Sequence, residues 1–262
     1  MVYTDLDGTL LDHDTYGWEA ARPALELLDR TGTPLVFVTS KTWAETDFWR
    51  CRIANRHPAV VENGGAIYIP NDYFQFPLAG ARQRGAYQVL EFGDSYASLV
   101  AALREAGRVS GVRVRGFSDM TIEEVSELCA LTPEQAALAK TREFDEAFEI
   151  LDAERQAPLL AAIENLGKQW TRGGRFYHIL GENDKALAVR TVSNLYRRSA
   201  SRVLTIGLGD GMNDAGFLNA VDIPILMPSP ALPSLRAAVP HGRLGREAGP
   251  AGWNAAILSL IR

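Results

Sequence analysis

The chain has 262 residues, 47% hydrophobic and 23% charged, with a formal net charge of -5 and two cysteines. That length and balance suit one large or two modest globular domains, and a mildly acidic chain is not expected to bind nucleic acid. No apolar stretch reaches the roughly 20 residues of a membrane span. No basic segment followed by an apolar run opens the sequence, so a cytoplasmic protein without a signal peptide is expected. Cys51 and Cys129 lie far apart with no C-x-x-C spacing and read as free thiols.

Strand and helix alternate at first. Val2–Asp5 reads as a short buried strand, and Glu19–Thr31 as a helix with Ala21, Ala24, Leu25 and Leu28 on one face. Pro34–Thr39 is a continuous apolar run of the kind found in parallel strands covered on both faces. Thr42–Ala54 is expected to be helical, with Thr42 as N-cap and Glu45 completing a capping box. Ala59–Glu62 is a third strand, Asn63-Gly64-Gly65 a turn, and Ala66–Pro70 a fourth strand. Residues 71–84 read as a loop.

The middle of the chain reads differently. Strands are expected at Tyr87–Phe92, Val112–Phe117, Phe144–Leu151, Lys168–Arg172 and Arg175–Leu180. Helices are expected at Ser95–Ala106, Thr121–Leu128, Pro133–Lys140 and Glu154–Leu166. This mixture suggests an α+β unit. Alternation resumes with a helix at Asp184–Arg198, a strand at Val203–Gly207, a short helix at Asp214–Ala220, a strand at Ile223–Met227 and a helix at Gly252–Ile261. Residues 228–252 carry no readable functional signal. The simplest organisation is a Rossmann-like α/β core with a mainly parallel sheet, built from residues 1–82 and 182–262, and an inserted α+β cap at 83–181.

Asp5 and Asp7 close the first strand one residue apart in D-L-D-G-T. Two like charges there repel, and burial of an unpaired carboxylate is costly. Ligands of open parallel sheets bind at the carboxyl ends of strands. Asp5, Thr39 and Asp210 each fall at such an end. Mg²⁺ prefers oxygen ligands, so carboxylates plus a substrate phosphate suit it. An Asp can attack phosphorus, and a carboxyl two residues on can act as acid and then base. Lys185 could neutralise charge on the nucleophile, and Thr39 could donate to a phosphoryl oxygen. The run G-L-G-D-G at 207–211 lacks dinucleotide-loop spacing.

D-L-D-G-T-L-L, a strand ending in V-T-S-K, a downstream lysine and G-D-G-M-N-D in this order resemble the haloacid dehalogenase superfamily of phosphatases. The resemblance implies Asp5 as nucleophile and Asp7 as general acid/base. It also implies Asp210 as a side-chain Mg²⁺ ligand beside Asp5, the Asp7 backbone carbonyl on the metal, and Asn213 and Asp214 supporting the metal shell and Lys185. V-T-S-K-T (38–42), V-E-N-G-G (61–65), R-E-F-D-E (142–146) and G-G-R-F-Y-H (173–178) resemble the mannosyl-3-phosphoglycerate phosphatase family. That implies a phosphorylated sugar-glycerate substrate contacted by Ser40, Lys41, Glu62, Asn63, Gly64, Gly65, Arg142, Glu143, Gly173, Gly174, Arg175 and Asn213. Gly173 and Gly174 would present backbone N–H groups, and Arg175 could pair with a carboxylate or phosphate. Strand alternation puts Arg175 and Tyr177 on Gly173's face, with His178 turned the other way. A glucosyl-3-phosphoglycerate or other sugar-phosphate phosphatase, a phosphomutase and a non-catalytic module are the alternatives, and the oligomeric state stays open.

Overall fold

The computed structural model describes residues 1–200 and 202–261. The chain begins with β1 (Val2–Thr4), buried throughout. Next come α1 (Arg22–Arg30), with Ala24, Leu27 and Leu28 inward, and β2 (Leu35–Val38), again buried at every position. In α2 (Trp43–Ile53) the expected capping box forms. Thr42 Oγ1 accepts the Glu45 amide at 3.1 Å, and Glu45 Oε2 accepts the Thr42 amide at 3.0 Å.

After β3 (Ala59–Val61) and β4 (Ala66–Pro70), two further strands appear, β5 (Arg82–Arg84) and β6 (Tyr87–Glu91). Helix α3 (Tyr96–Ser110), β7 (Val114–Gly116), α4 (Ile122–Cys129) and α5 (Pro133–Ala139) follow. The middle region ends with β8 (Asp145–Ile150), α6 (Gln156–Asn165), β9 (Gln169–Gly173) and β10 (Phe176–Leu180). The last part contains α7 (Lys185–Ser199), β11 (Ile206–Gly209), α8 (Ala215–Leu218), β12 (Ile223–Leu226), α9 (Leu232–Ala238), β13 (Arg243–Leu244) and α10 (Gly249–Leu260).

Among the described residues these strands form a nine-stranded sheet ordered β13-β12-β11-β1-β2-β3-β4-β6-β5 and a four-stranded sheet ordered β7-β8-β10-β9. Pairing is parallel from β13 through β3 and antiparallel from β3 to β5. The large sheet has apolar packing on both faces. On one lie Leu6, Leu28, Trp49, Trp253 and Ile257; on the other Val36, Val38, Val189, Phe217 and Leu235. The smaller, antiparallel sheet is the cap. One of its faces packs Phe148 and Ile179 against Leu99, Leu103, Leu159 and Ile163 of α3 and α6.

Several element ends differ from the sequence reading, among them the strand at Arg82–Arg84 inside the expected loop, and two differences bear on the core. Residues 83–91 were expected to open the insertion, but β5 and β6 pair on the large sheet through β4, which extends the core past residue 82. The strand expected at 203–207 is displaced toward its C-terminus. Asp222 Oδ2 accepts the Thr205 amide and hydroxyl at 2.8 and 2.7 Å, which takes that amide out of strand pairing, and the β1 register opens with Val2 opposite Ile206.

Candidate active site

Register brings the chemistry together. Thr4 lies between Leu208 and Phe37, so Asp5, Thr39 and Asp210 leave three neighbouring strands at the same edge. Lys185, in the first turn of α7, reaches this edge with 1% of its side chain exposed. Its Nζ donates to Asp5 Oδ1 at 2.8 Å and to Asp214 Oδ1 at 2.6 Å. The other Asp214 oxygen accepts the amides of Asp210 and Gly211, both at 3.0 Å, so Asp214 shapes the loop that carries Asp210. Burial, with the Asp214 charge adding repulsion, pushes the Asp5 carboxyl well above the ordinary carboxylate range, against the pull of Lys185. The same causes push Asp210 up to about 7.

Asp7 stands apart from this triad. Its Oδ2 meets Lys41 Nζ at 2.9 Å, with Glu45 Oε1 at 3.5 Å on the other side of the ammonium. Among the described residues Asp7 Oδ1 is buried without a partner. Lys41 is itself buried, and burial works against its charge, but Asp7 and Glu45 outweigh that and raise it above the usual lysine range. Thr39 does not reach the cavity. Its Oγ1 accepts the Lys41 amide at 3.1 Å and so pins the loop that presents Ser40 and Lys41.

A cavity of 510 Å³ opens between this edge and the cap. Of the residues singled out in the sequence, Asp5, Asp7, Ser40, Lys41, Arg142, Gly173, Gly174, Arg175, Asp210 and Asn213 line it. Glu62, Asn63, Gly64, Gly65 and Glu143 do not. Glu62 spends its carboxylate on the backbone, with Oε2 accepting the amides of Glu143, Phe144 and Asp145 at 2.9, 2.7 and 3.0 Å. Asn63 links Asn213 to Asp145 through contacts of 3.2 and 2.8 Å. Gly64, at φ +91°, leaves no room for a side chain, since a Cβ would lie 2.1 Å from the Asp184 carbonyl oxygen. A Cβ on Gly65 would lie 2.3 Å from Phe144 Cβ. Glu143 turns outward to Arg84 and Tyr68. The V-E-N-G-G turn therefore fastens core to cap instead of facing the cavity.

Other cavity residues were not anticipated. Tyr16 packs near Lys41, whose ammonium lies 5.1 Å from the ring centroid, and its hydroxyl donates to the Cys129 carbonyl at 2.9 Å. Ser229, Pro230, Ala231 and Ser234 come from the stretch that carried no signal. Ser229 Oγ donates to the Asp210 carbonyl at 2.7 Å, a contact only folding creates. His178 faces the cavity, as does Phe176, while Tyr177 packs toward α3 and α6. His178 and Tyr177 do point opposite ways, but Gly173 stands opposite Phe176 in the β9–β10 ladder and so shares the face of Phe176 and His178, not that of Tyr177, and Arg175 lies in the turn before β10, where strand alternation does not apply.

Asp5, Asp210 and Asp214 each offer a carboxylate oxygen, all within 4.8 Å of one another. Lys185 offsets only part of that negative charge. Oxygen donors, crowding and raised carboxyls together fit a hard divalent cation such as Mg²⁺.

No family model matches the chain. Its fold matches a HAD subclass IIB sugar phosphatase at TM-score 0.66 and 16% identity, over 98% of this chain and 97% of that one. It also matches the sucrose-phosphatase of Synechocystis at TM-score 0.64 and 13% identity, over 98% and 96%. The fold is thus that of the haloacid dehalogenase superfamily, and the separate antiparallel sheet fits a cap domain. In sequence, the chain is 44% identical to a glucosyl-3-phosphoglycerate/mannosyl-3-phosphoglycerate phosphatase of Methanococcoides burtonii, over 100% of this chain and 97% of the relative. It is 36% identical to the mannosyl-3-phosphoglycerate phosphatase of Pyrococcus furiosus, over 87% and 90%. The chain belongs to this glycosyl-3-phosphoglycerate phosphatase family and is a phosphoric monoester hydrolase.

Proposed function

We propose that this chain hydrolyses mannosyl-3-phosphoglycerate to mannosylglycerate and phosphate, with glucosyl-3-phosphoglycerate as the alternative substrate. An Asp5 oxygen attacks phosphorus while the bond from phosphorus to the glycerate oxygen breaks, and Asp7 gives that oxygen a proton. Asp7 then takes a proton from water as the water oxygen attacks the aspartyl-phosphate and frees Asp5. The observation that supports this reading is the difference in surroundings between the two aspartates. Asp5 is held by Lys185 at the cavity floor, whereas Asp7 keeps an unpartnered oxygen two residues away. Asp5 and Asp210 would hold Mg²⁺, with Asp214 and the Asp7 carbonyl in support. The metal would supply positive charge that screens the attacking carboxylate from the phosphate dianion.

Lys185 and Lys41 supply fixed charge from the chain itself, in place before the phosphate arrives. The cap, taken as the residues between β6 and α7, would exclude water and carry the groups that read the glycosyl-glycerate portion. Phosphate release with Mg²⁺ tests the reading, with kcat/KM compared across both glycosyl-3-phosphoglycerates and free hexose phosphates. A glycosyl-3-phosphoglycerate should be preferred by more than about tenfold, or about 1.4 kcal/mol. Asp5→Asn should stay folded and release no phosphate. Equal turnover of plain hexose phosphates would remove the substrate assignment, and an active Asp5→Asn would remove the nucleophile.

A further inference from the structure

Asp145, the first residue of β8, is fully buried. Its carboxylate accepts from Arg142 Nε at 2.8 Å and from Arg142 Nη2, from His178 Nδ1 at 2.9 and 3.1 Å to its two oxygens, and from Asn63 Nδ2 at 2.8 Å. Burial alone would raise this carboxyl, but Arg142 and His178 outweigh it and hold it at about 2. Asp145 is therefore an anion whose lone pairs are committed to orienting other side chains.

Two of those side chains line the cavity, Arg142 and His178. Arg142 spends Nε and Nη2 on Asp145 and on the Ser40 carbonyl, the latter at 2.8 Å. His178 spends Nδ1 on Asp145. Among the described residues, neither Arg142 Nη1 nor His178 Nε2 has a partner. His178 stands opposite Ala147 in the β8–β10 ladder, and both face the cavity. With Nδ1 directed at Asp145, Nε2 is the ring nitrogen left to meet a ligand in the cavity.

We propose that Arg142 and His178, set by Asp145, form a subsite for the glycerate carboxylate of the substrate. The inference rests on the substrate class proposed above. On a 3-phosphoglycerate the carboxylate carbon sits only two carbons along from the phosphate-bearing carbon. A second anion must therefore be read close to the phosphate site, and Arg142 is tied directly to Ser40 of the loop that carries Lys41. Arg175 lies farther out, with Nη1 on the Leu128 carbonyl at 2.8 Å and its side chain 40% exposed. Phe117, Leu131 and Phe176 line the same cavity and leave an apolar wall for the sugar.

Steady-state kinetics on two compounds test the subsite, the glycosyl-3-phosphoglycerate and its analogue with the carboxyl reduced to hydroxymethyl. In His178→Gln the carboxylate substrate should show KM raised about tenfold or more, as for loss of a hydrogen bond to a charged group. Its kcat should stay within about threefold, and the reduced analogue should be unaffected in both. Asp145→Asn should reproduce that pattern without touching substrate. Should Asp145→Asn fail to fold, His178→Gln alone decides. Equal losses on both compounds, or no loss on either, overturn the subsite while leaving the substrate assignment standing. A wild-type enzyme that turns over hexose phosphates as well as the glycosyl-phosphoglycerate overturns the assignment itself, and the subsite with it.

Discussion

Lys185 carries a full charge into a place where water does not follow, and it is tolerated there because Asp5 and Asp214 lie within 2.8 and 2.6 Å. Removing one partner of a buried ion pair costs far more than the pair itself contributes. Lys185→Met should therefore lower stability by about 3 to 5 kcal/mol in urea denaturation without metal. Asp210 behaves differently. Burial and Asp214 push its carboxyl up to about 7, so it is a source of repulsion when no cation is present. Asp210→Asn should match or exceed the wild type in metal-free thermal denaturation. With Mg²⁺ at 100 times its dissociation constant, the wild type should gain about 2.7 kcal/mol and the variant little. Melting curves that keep the same order with and without Mg²⁺ would remove Asp210 from the metal site. Away from the site, burial lowers His57 to about 4, with Arg56 and Arg50 adding to the effect. The unfolded chain binds that proton below about 6.5 and the folded chain does not. The stability His57 contributes is thus complete above about 6.5 and is lost as pH falls toward 4. His57→Gln should flatten the fall in Tm across that window.

At the scale of elements, the loop after β3 fixes how cap and core meet. Gly64→Ala should cost about 2 to 4 kcal/mol, because the new Cβ collides with the Asp184 carbonyl at a positive φ. Gly80, at φ +79° with nothing within 4 Å, is the matched control, and Gly80→Ala should cost only about 1 kcal/mol of backbone strain. Equal losses would mean that packing at Gly64 contributes nothing. This loop also marks where sequence reading stops. D-L-D-G-T and G-D-G-M-N-D stand out because strand ends, charge repulsion and spacing constrain them locally, whereas Lys185, 180 positions from Asp5, is singled out only by its place in the order of motifs. V-E-N-G-G was conspicuous for the same composition, yet its role was misread. Which way Glu62 turns is decided by the amides of residues 143–145, some 80 positions away. The face of β10 was misassigned for a related reason. Alternation tells which residues share a face, but only the packing of α3 and α6 tells which face is core. Ser229 and Tyr16 gave no signal, since their partners exist only once β11 and the cap are in place.

At the scale of the molecule, the cavity is closed by contacts that cross from the large sheet's edge to the cap. Arg142 to Ser40, Thr42 Oγ1 to the Leu138 carbonyl at 2.9 Å, and the Glu62 clamp lie on one side. Tyr16 to Cys129 lies apart from these, in the loop that follows Asp7, at a positive φ of 56° that a tyrosine rarely adopts. Its hydroxyl is pushed up to about 12 by burial, with Asp7 adding to the effect, so it stays a hydrogen-bond donor across the working pH range. Tyr16→Phe deletes that donor and keeps the ring over Lys41. A substrate that must be enclosed by the cap should suffer, and one that needs only the phosphate site should not. KM for the glycosyl-3-phosphoglycerate should rise about three- to tenfold, the range of one hydrogen bond, while hydrolysis of p-nitrophenyl phosphate stays within about twofold. Parallel losses on both compounds would place Tyr16 in the chemistry of Lys41 and Asp7 and not in closure. Unchanged kinetics on both would mean the remaining core–cap contacts hold the cavity shut without it.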